Sequence, residues 1–142
     1  MINIKKTNVG VVSIFMLSTI GLIGCGEEKV PLDISVHVAG YGDIDSTDGV
    51  WVGTKGENKN LELINVEKFS DVDGLDINYM CHIAGFGDSD WLVEGQDCGS
   101  RGQHRALEGF AIRLSGPAAN QYTVEYNCHL AGDRKSTRLN SS

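Results

Sequence analysis

Ile77-Asn78-Tyr79-Met80-Cys81-His82-Ile83-Ala84-Gly85-Phe86-Gly87-Asp88 decides how this chain is read. Apolar side chains stand at 77, 79, 81 and 83, with Asn78 and His82 between them. That period of two puts one face of a strand in a core and the other in water. Gly85-Phe86-Gly87 then turns the chain. The pattern occurs twice more. Upstream, Leu32, Ile34, Val36 and Val38 alternate with Asp33, Ser35 and His37 and lead into Ala39-Gly40-Tyr41-Gly42-Asp43. Downstream, Val124, Tyr126, Cys128 and Leu130 alternate with Glu125, Asn127 and His129 and lead into Ala131-Gly132.

The later part of each unit repeats as well. Gly49, Gly53, Gly56, Leu61 and Glu62 return, at one constant offset, as Gly95, Gly99, Gly102, Leu107 and Glu108. The chain therefore divides into repeat 1 (32–76), repeat 2 (77–121) and the start of a truncated repeat 3 (122–132), each full unit being about 45 residues long. Within a unit the first strand is followed by a Gly-rich turn. A short strand follows at Val50–Val52 or Trp91–Val93, and a last one near 61–69 or 107–114. Ile64 and Val66 share a parity, as do Phe110, Ile112 and Leu114, while Leu61 and Leu107 are out of phase, so a bulge is expected in each last strand. No helical period is present. The expected fold is all-β. A unit this small cannot bury its apolar face alone, and three such units closing on one another would remove exposed strand edges. A β-prism or trefoil-like pseudo-threefold assembly is the expected arrangement.

The two ends read differently. Lys5 and Lys6 precede an apolar run from Val9 to Ile23, which ends in Leu22-Ile23-Gly24-Cys25. A basic head, an apolar stretch and a small residue before Cys make an export signal. The box resembles that of bacterial lipoproteins, which makes residues 1–24 a leader, Cys25 the lipidation site and 25–31 a short linker. Residues 133–142, from Asp133 to Ser142, have no strand alternation and resemble a sequencing adapter read in frame.

Composition excludes several functions. Between Cys25 and Gly132 seven basic residues face 18 acidic ones, a net charge of −11. Such a surface repels nucleic acid, which needs a basic face. Attachment to a membrane would have to come from lipid alone. No strained-turn nucleophile, paired-carboxylate signal or phosphate loop stands out, so no enzyme and no cofactor are expected. Asp43, Asp45 and Asp48 have the wrong spacing for a calcium loop and read as a solvated acidic turn. One His per unit is too few for zinc without further ligands, and no metal is expected.

The second repeat resembles the clostridial hydrophobic W (ChW) repeat in Tyr79, His82, Gly85, Phe86, Trp91, Gly95, Gly99, Gly102, Arg105, Leu107 and Glu108. The first is degenerate, with Ser46 where the Trp would fall and Lys59 in place of Arg105. The resemblance implies a secreted or surface protein that binds extracellular polysaccharides or proteins. With Cys25 lipidated, the chain would sit on the outer face of the cell membrane as an adhesion or binding protein. A structural spacer, or the non-catalytic front of a longer secreted hydrolase, are the other readings.

The ligand-binding candidates are Trp91, Trp51, Phe86, His82 and His37. An indole in a Gly-rich turn can stack on a sugar ring, or it can plug the core. The histidines either contact ligand or are structural, each ring bonding the backbone of the Gly turn that follows; recurrence in each unit favours the structural role. Cys81 aligns with Val36, and Cys98 with Val52, so one unit has Val at both places and the other Cys at both. Paired replacement predicts a Cys81–Cys98 disulfide and leaves Cys128 without a partner; buried thiols are the alternative.

Overall fold

A computed structural model describes residues 1–7, 28–54, 56–128 and 137–141. The strands are β1 (Ile2–Lys6), β2 (Lys29–Val30), β3 (Leu32–Val38), β4 (Gly42–Thr47), β5 (Leu61–Lys68), β6 (Asp76–Ile83), β7 (Gly87–Asp88), β8 (Leu92–Val93), β9 (Cys98–Gly99), β10 (Leu107–Ser115), β11 (Tyr122–Cys128) and β12 (Thr137–Ser141). Among the described residues the one helix is a 3-10 turn at Ala119–Gln121. The fold is all-β, as the alternation predicts.

The strands form three antiparallel sheets. The first runs β4-β3-β5-β9, the second β10-β6-β7 with β8 also on β6, and the third β12-β11-β1-β2. The first strand of each unit lies inside its sheet. Its alternate side chains, Leu32, Ile34, Val36 and Val38, then Ile77, Tyr79 and Cys81, then Val124 and Tyr126, enter one shared core. Burying each of the larger ones contributes about 1.5–3 kcal/mol. Phe110 joins the second sheet to the third, with its ring 6.0 Å from Tyr79 and 5.8 Å from Tyr126.

The out-of-phase leucines mark bulges. On β5, His37 pairs with Leu63 and Val38 with Leu61, so Glu62 is the extra residue. On β10, His82 pairs with Gly109 and Ile83 with Leu107, so Glu108 is extra.

Four placements differ from the sequence reading. Gly42–Thr47 is a strand, not a turn, so Asp43 and Asp45 point outward from β4 on either side of Ile44. Val50–Val52 is not a strand: Gly49 and Gly53, at φ +74° and +97°, bend the chain away from pairing on both sides. Ile2–Lys6 lies within the third sheet, although residues 1–24 were set apart as a leader; Ile2 and Ile4 alternate with Asn3 and Lys5 and are buried against β11. Thr137–Ser141 pairs along β11 despite its lack of alternation, because ladder bonds come from backbone groups that every residue carries. Cys25, His129 and the Cys128 side chain lie outside the described residues.

Candidate functional site

The recurring His is built into a clamp. It sits on the outward face of its first strand, with the following hairpin strand on one side and the bulged strand on the other. In unit 1, His37 Nδ1 donates to Asp43 Oδ1 at 2.7 Å, and its Nε2 is 4.0 Å from Glu62 Oε2. In unit 2, His82 Nδ1 donates to Asp88 Oδ1 at 2.6 Å, and Nε2 is 3.9 Å from Glu108 Oε2. The bulge makes this possible: the extra residue re-aims the Glu toward the His, where regular alternation would point it inward. The His partner is therefore a carboxylate and not the backbone of the Gly turn. The imidazole–Asp bond holds the Asp43 carboxyl below the usual carboxylate range, and Arg101 lowers it further. Chemically, the clamp ties the ring to the hairpin through a charge-assisted hydrogen bond to Asp, with the Glu of the bulged strand facing the ring's other nitrogen.

The two clamps are covered differently. Glu62 is 1% exposed, because the Cys98–Gly102 segment of unit 2 lies over it. Cys98 and Gly99 add to the edge of β5 opposite Ile64 and Leu63. Ser100 N–H donates to Glu62 O and Gly102 N–H to Glu62 Oε2, both at 2.9 Å. Arg101 reaches both Asp43 oxygens at 3.2 Å and also holds Asp97. Asn65 donates to Asp97, and this bond with the Arg101 pair keeps the Asp97 carboxyl below its usual range. The Tyr79 hydroxyl donates to Gln96 O and accepts from Val66 N–H; burial pushes this phenol's pKa up. Cys81 and Cys98 form a disulfide, which ties β6 of the second sheet to the edge strand of the first. Over unit 2 no such segment lies among the described residues, and the Glu108 side chain is 57% exposed.

The aromatic candidates point outward. Trp51 is 45% exposed, Trp91 41% and Phe86 67%, so neither indole is a core plug. Each turn aromatic is flanked by a basic residue from beside the bulged strand: Arg105 stacks 3.8 Å from the Phe86 ring, and Lys59 lies 5.8 Å from the Tyr41 ring. Arg113, on β10, stacks 4.0 Å from the Trp91 ring. The repeat pattern aligns Tyr41 with Phe86, but neither Tyr41 nor Arg113 was among the candidates drawn from sequence. The matching position in unit 1 is Glu67, and the outward face there is acidic. A hollow of about 430 Å³ is lined by Asp33, Asp45, Glu67, Asp97 and Arg101 among others. Among the described residues no group of three or more His, Cys, Asp or Glu is arranged to hold a metal ion.

Residues 82–116 match the family model described as clostridial hydrophobic W, ChW. The match runs from His82 to Gly116 and takes in the exposed clamp and both arginine-stacked aromatics. No curated protein and no solved structure matches the chain.

Proposed function

We propose that this is a cell-surface binding or adhesion protein, anchored through lipid on Cys25, whose repeats contact an extracellular polysaccharide. The observation that carries the reading is the outward aromatic stacked by an arginine, present twice in unit 2, at Phe86 with Arg105 and Trp91 with Arg113. An aromatic face packs on the apolar face of a pyranose, while guanidinium donors bond its hydroxyls. The prevailing negative charge favours an uncharged polymer over an anionic one. The ChW match supports a surface or adhesion repeat. The fixed ring orientations suit recognition without chemistry, since stacking by Arg105 and Arg113 preorganises each aromatic before contact.

Titration with neutral polysaccharides, followed by tryptophan fluorescence, tests the reading. Saturable quenching that Trp91→Ala and Arg113→Ala each weaken is expected; equal response from the variants overturns it. The anchor is tested by palmitate labelling, which Cys25→Ser should abolish.

A further inference from the structure

β1 occupies a place that the repeat gives to another strand. In units 1 and 2 the first strand pairs along one edge with the last strand of its own unit, β5 or β10. In the third sheet the first strand is β11, and β1 lies between it and β2. The registers correspond. Ile2 and Ile4 stand opposite Tyr126 and Val124, as Ile112 and Leu114 stand opposite Tyr79 and Ile77. The crossing loops correspond too. Gly49 N–H donates to Ile2 O at 2.9 Å, as its counterpart Gly95 N–H donates to Val66 O at 3.0 Å. In the anchor reading, however, residues 1–24 leave with the leader. Their removal opens a gap one strand wide between β11 and β2. Val30, Val124 and Tyr126, all buried, lose the residues they pair with, and the backbone groups on both sides lose their ladder bonds.

We propose that cleavage before Cys25 unmasks a strand-acceptor site along β11, and that its ligand is an extended segment of a partner protein with the pattern apolar–basic–apolar. The proposal rests on the reading of Cys25 as the anchor and is independent of the polysaccharide. The walls of the gap set the pattern. Its two inward positions are those of Ile2 and Ile4, 4% and 1% exposed. The position between them is that of Asn3, opposite Glu125 in the ladder. A basic residue there makes an opposite-charge cross-strand pair. β10 carries this pattern as Ile112-Arg113-Leu114, in the matching register. The net charge of −11 between Cys25 and Gly132 also favours a basic segment over an acidic one. Main-chain bonds to β11 supply affinity, and the alternate pockets supply selectivity. Before cleavage β1 keeps this edge from pairing with other chains.

A fluorescein-labelled peptide of Leu107–Ser115 is the probe, read by anisotropy in mild detergent. The processed wild type, its start at Cys25 verified by mass, should bind the peptide about tenfold or more tighter than the uncleaved chain, the scale of one apolar side chain buried. Ile4→Asp in the uncleaved chain, or the milder Ile4→Ser, loosens β1 without cleavage and should bind as the processed chain does, with near-ultraviolet dichroism confirming the fold. Ile112→Asp or Arg113→Glu in the peptide should each weaken binding about tenfold, through a charge in the apolar gap or a like charge at Glu125. A wild type that keeps residues 1–24 overturns the anchor reading and the gating by cleavage, and the Ile4 variants then decide the acceptor site alone. Equal binding by opened and uncleaved chains, no binding by the opened chains, or undiminished binding of the altered peptides would each overturn the proposal.

Discussion

The two clamps hold the same three side chains and live in different surroundings. His37, Asp43 and Glu62 lie beneath a segment of the next unit, whereas His82, Asp88 and Glu108 face water. The difference shows that the clamp does not depend on burial for its geometry, since both rings hold their Asp at nearly one distance. What burial adds is coupling. In unit 1 the Glu that closes the clamp also caps a loop amide from the neighbour, so local order and the junction between units stand or fall together.

The sharpest way to separate the two units is at their matching glycines. A Cβ on Gly99, at φ +107°, would sit 2.2 Å from the Glu62 carbonyl oxygen, while one on Gly53 meets nothing closer than 3.8 Å. Gly99→Ala should cost about 4 kcal/mol, from left-handed strain plus the backbone clash. Gly53→Ala should cost about 1–2 kcal/mol, from strain alone. Urea denaturation of both variants measures the gap; equal losses would mean that the junction yields without cost.

Next comes the disulfide. Cys98→Ser should lower stability by about 3 kcal/mol through the loop it opens. Replacing both Cys81 and Cys98 by Val, the solution unit 1 already uses, should recover part of that loss by refilling the buried volume. Non-reducing peptide mapping checks the bond itself.

A smaller contrast lies in the glutamates. Glu62→Ala leaves the Gly102 amide unpaired and opens space, for about 2 kcal/mol. Glu108→Ala changes an exposed side chain and should stay within about 0.5 kcal/mol. If the two losses match, the cover over Glu62 contributes nothing.

The smallest effect is electrostatic. Asp43 and Asp97 have depressed folded pKa values, so their contribution is present above the unfolded value near about 4 and fades as pH falls through the folded one. Acid should therefore loosen the Arg101 contacts first. Carboxyl chemical shifts followed by NMR should show both titrating below an unfolded reference, and Arg101→Gln should move both upward.

Much of this was legible in the residues, for physical reasons. Alternation at Ile77, Tyr79 and Cys81 reflects the two-residue period of a strand, and the phase break at Leu61 and Leu107 reported the bulges because an inserted residue must shift parity. The Val-to-Cys exchange at two aligned positions pointed to spatial neighbours. The clamp was not legible as a site. Asp43 and Asp88 each follow the His by six residues, and Glu62 and Glu108 recur too, so the signal was there. Only the hairpin and the bulge bring the three together, however, and neither carboxylate is special along the chain. β4 was missed because Asp43 and Asp45 read as turn residues, although Ile44 between them is all a solvent-flanked edge strand needs. β1 shows a short alternation at Ile2 and Ile4 that the basic head of the apolar run obscures, whereas the placement of β12 rests on backbone pairing, which leaves little trace in side-chain pattern.

The Cys81–Cys98 link has a mechanical consequence. It joins β6 to β9, and β9 is stitched to β5 of the preceding unit. A pull on the two ends of the chain therefore cannot draw out the 17 residue steps between the sulfurs. Oxidised chains should extend roughly 50–60 Å less than reduced ones when stretched singly, at up to 3.6 Å per residue. Tension along the chain would bypass the Phe86 turn and Trp91, leaving both aromatics in their folded setting while the ladder at β9 and β5 bears the load.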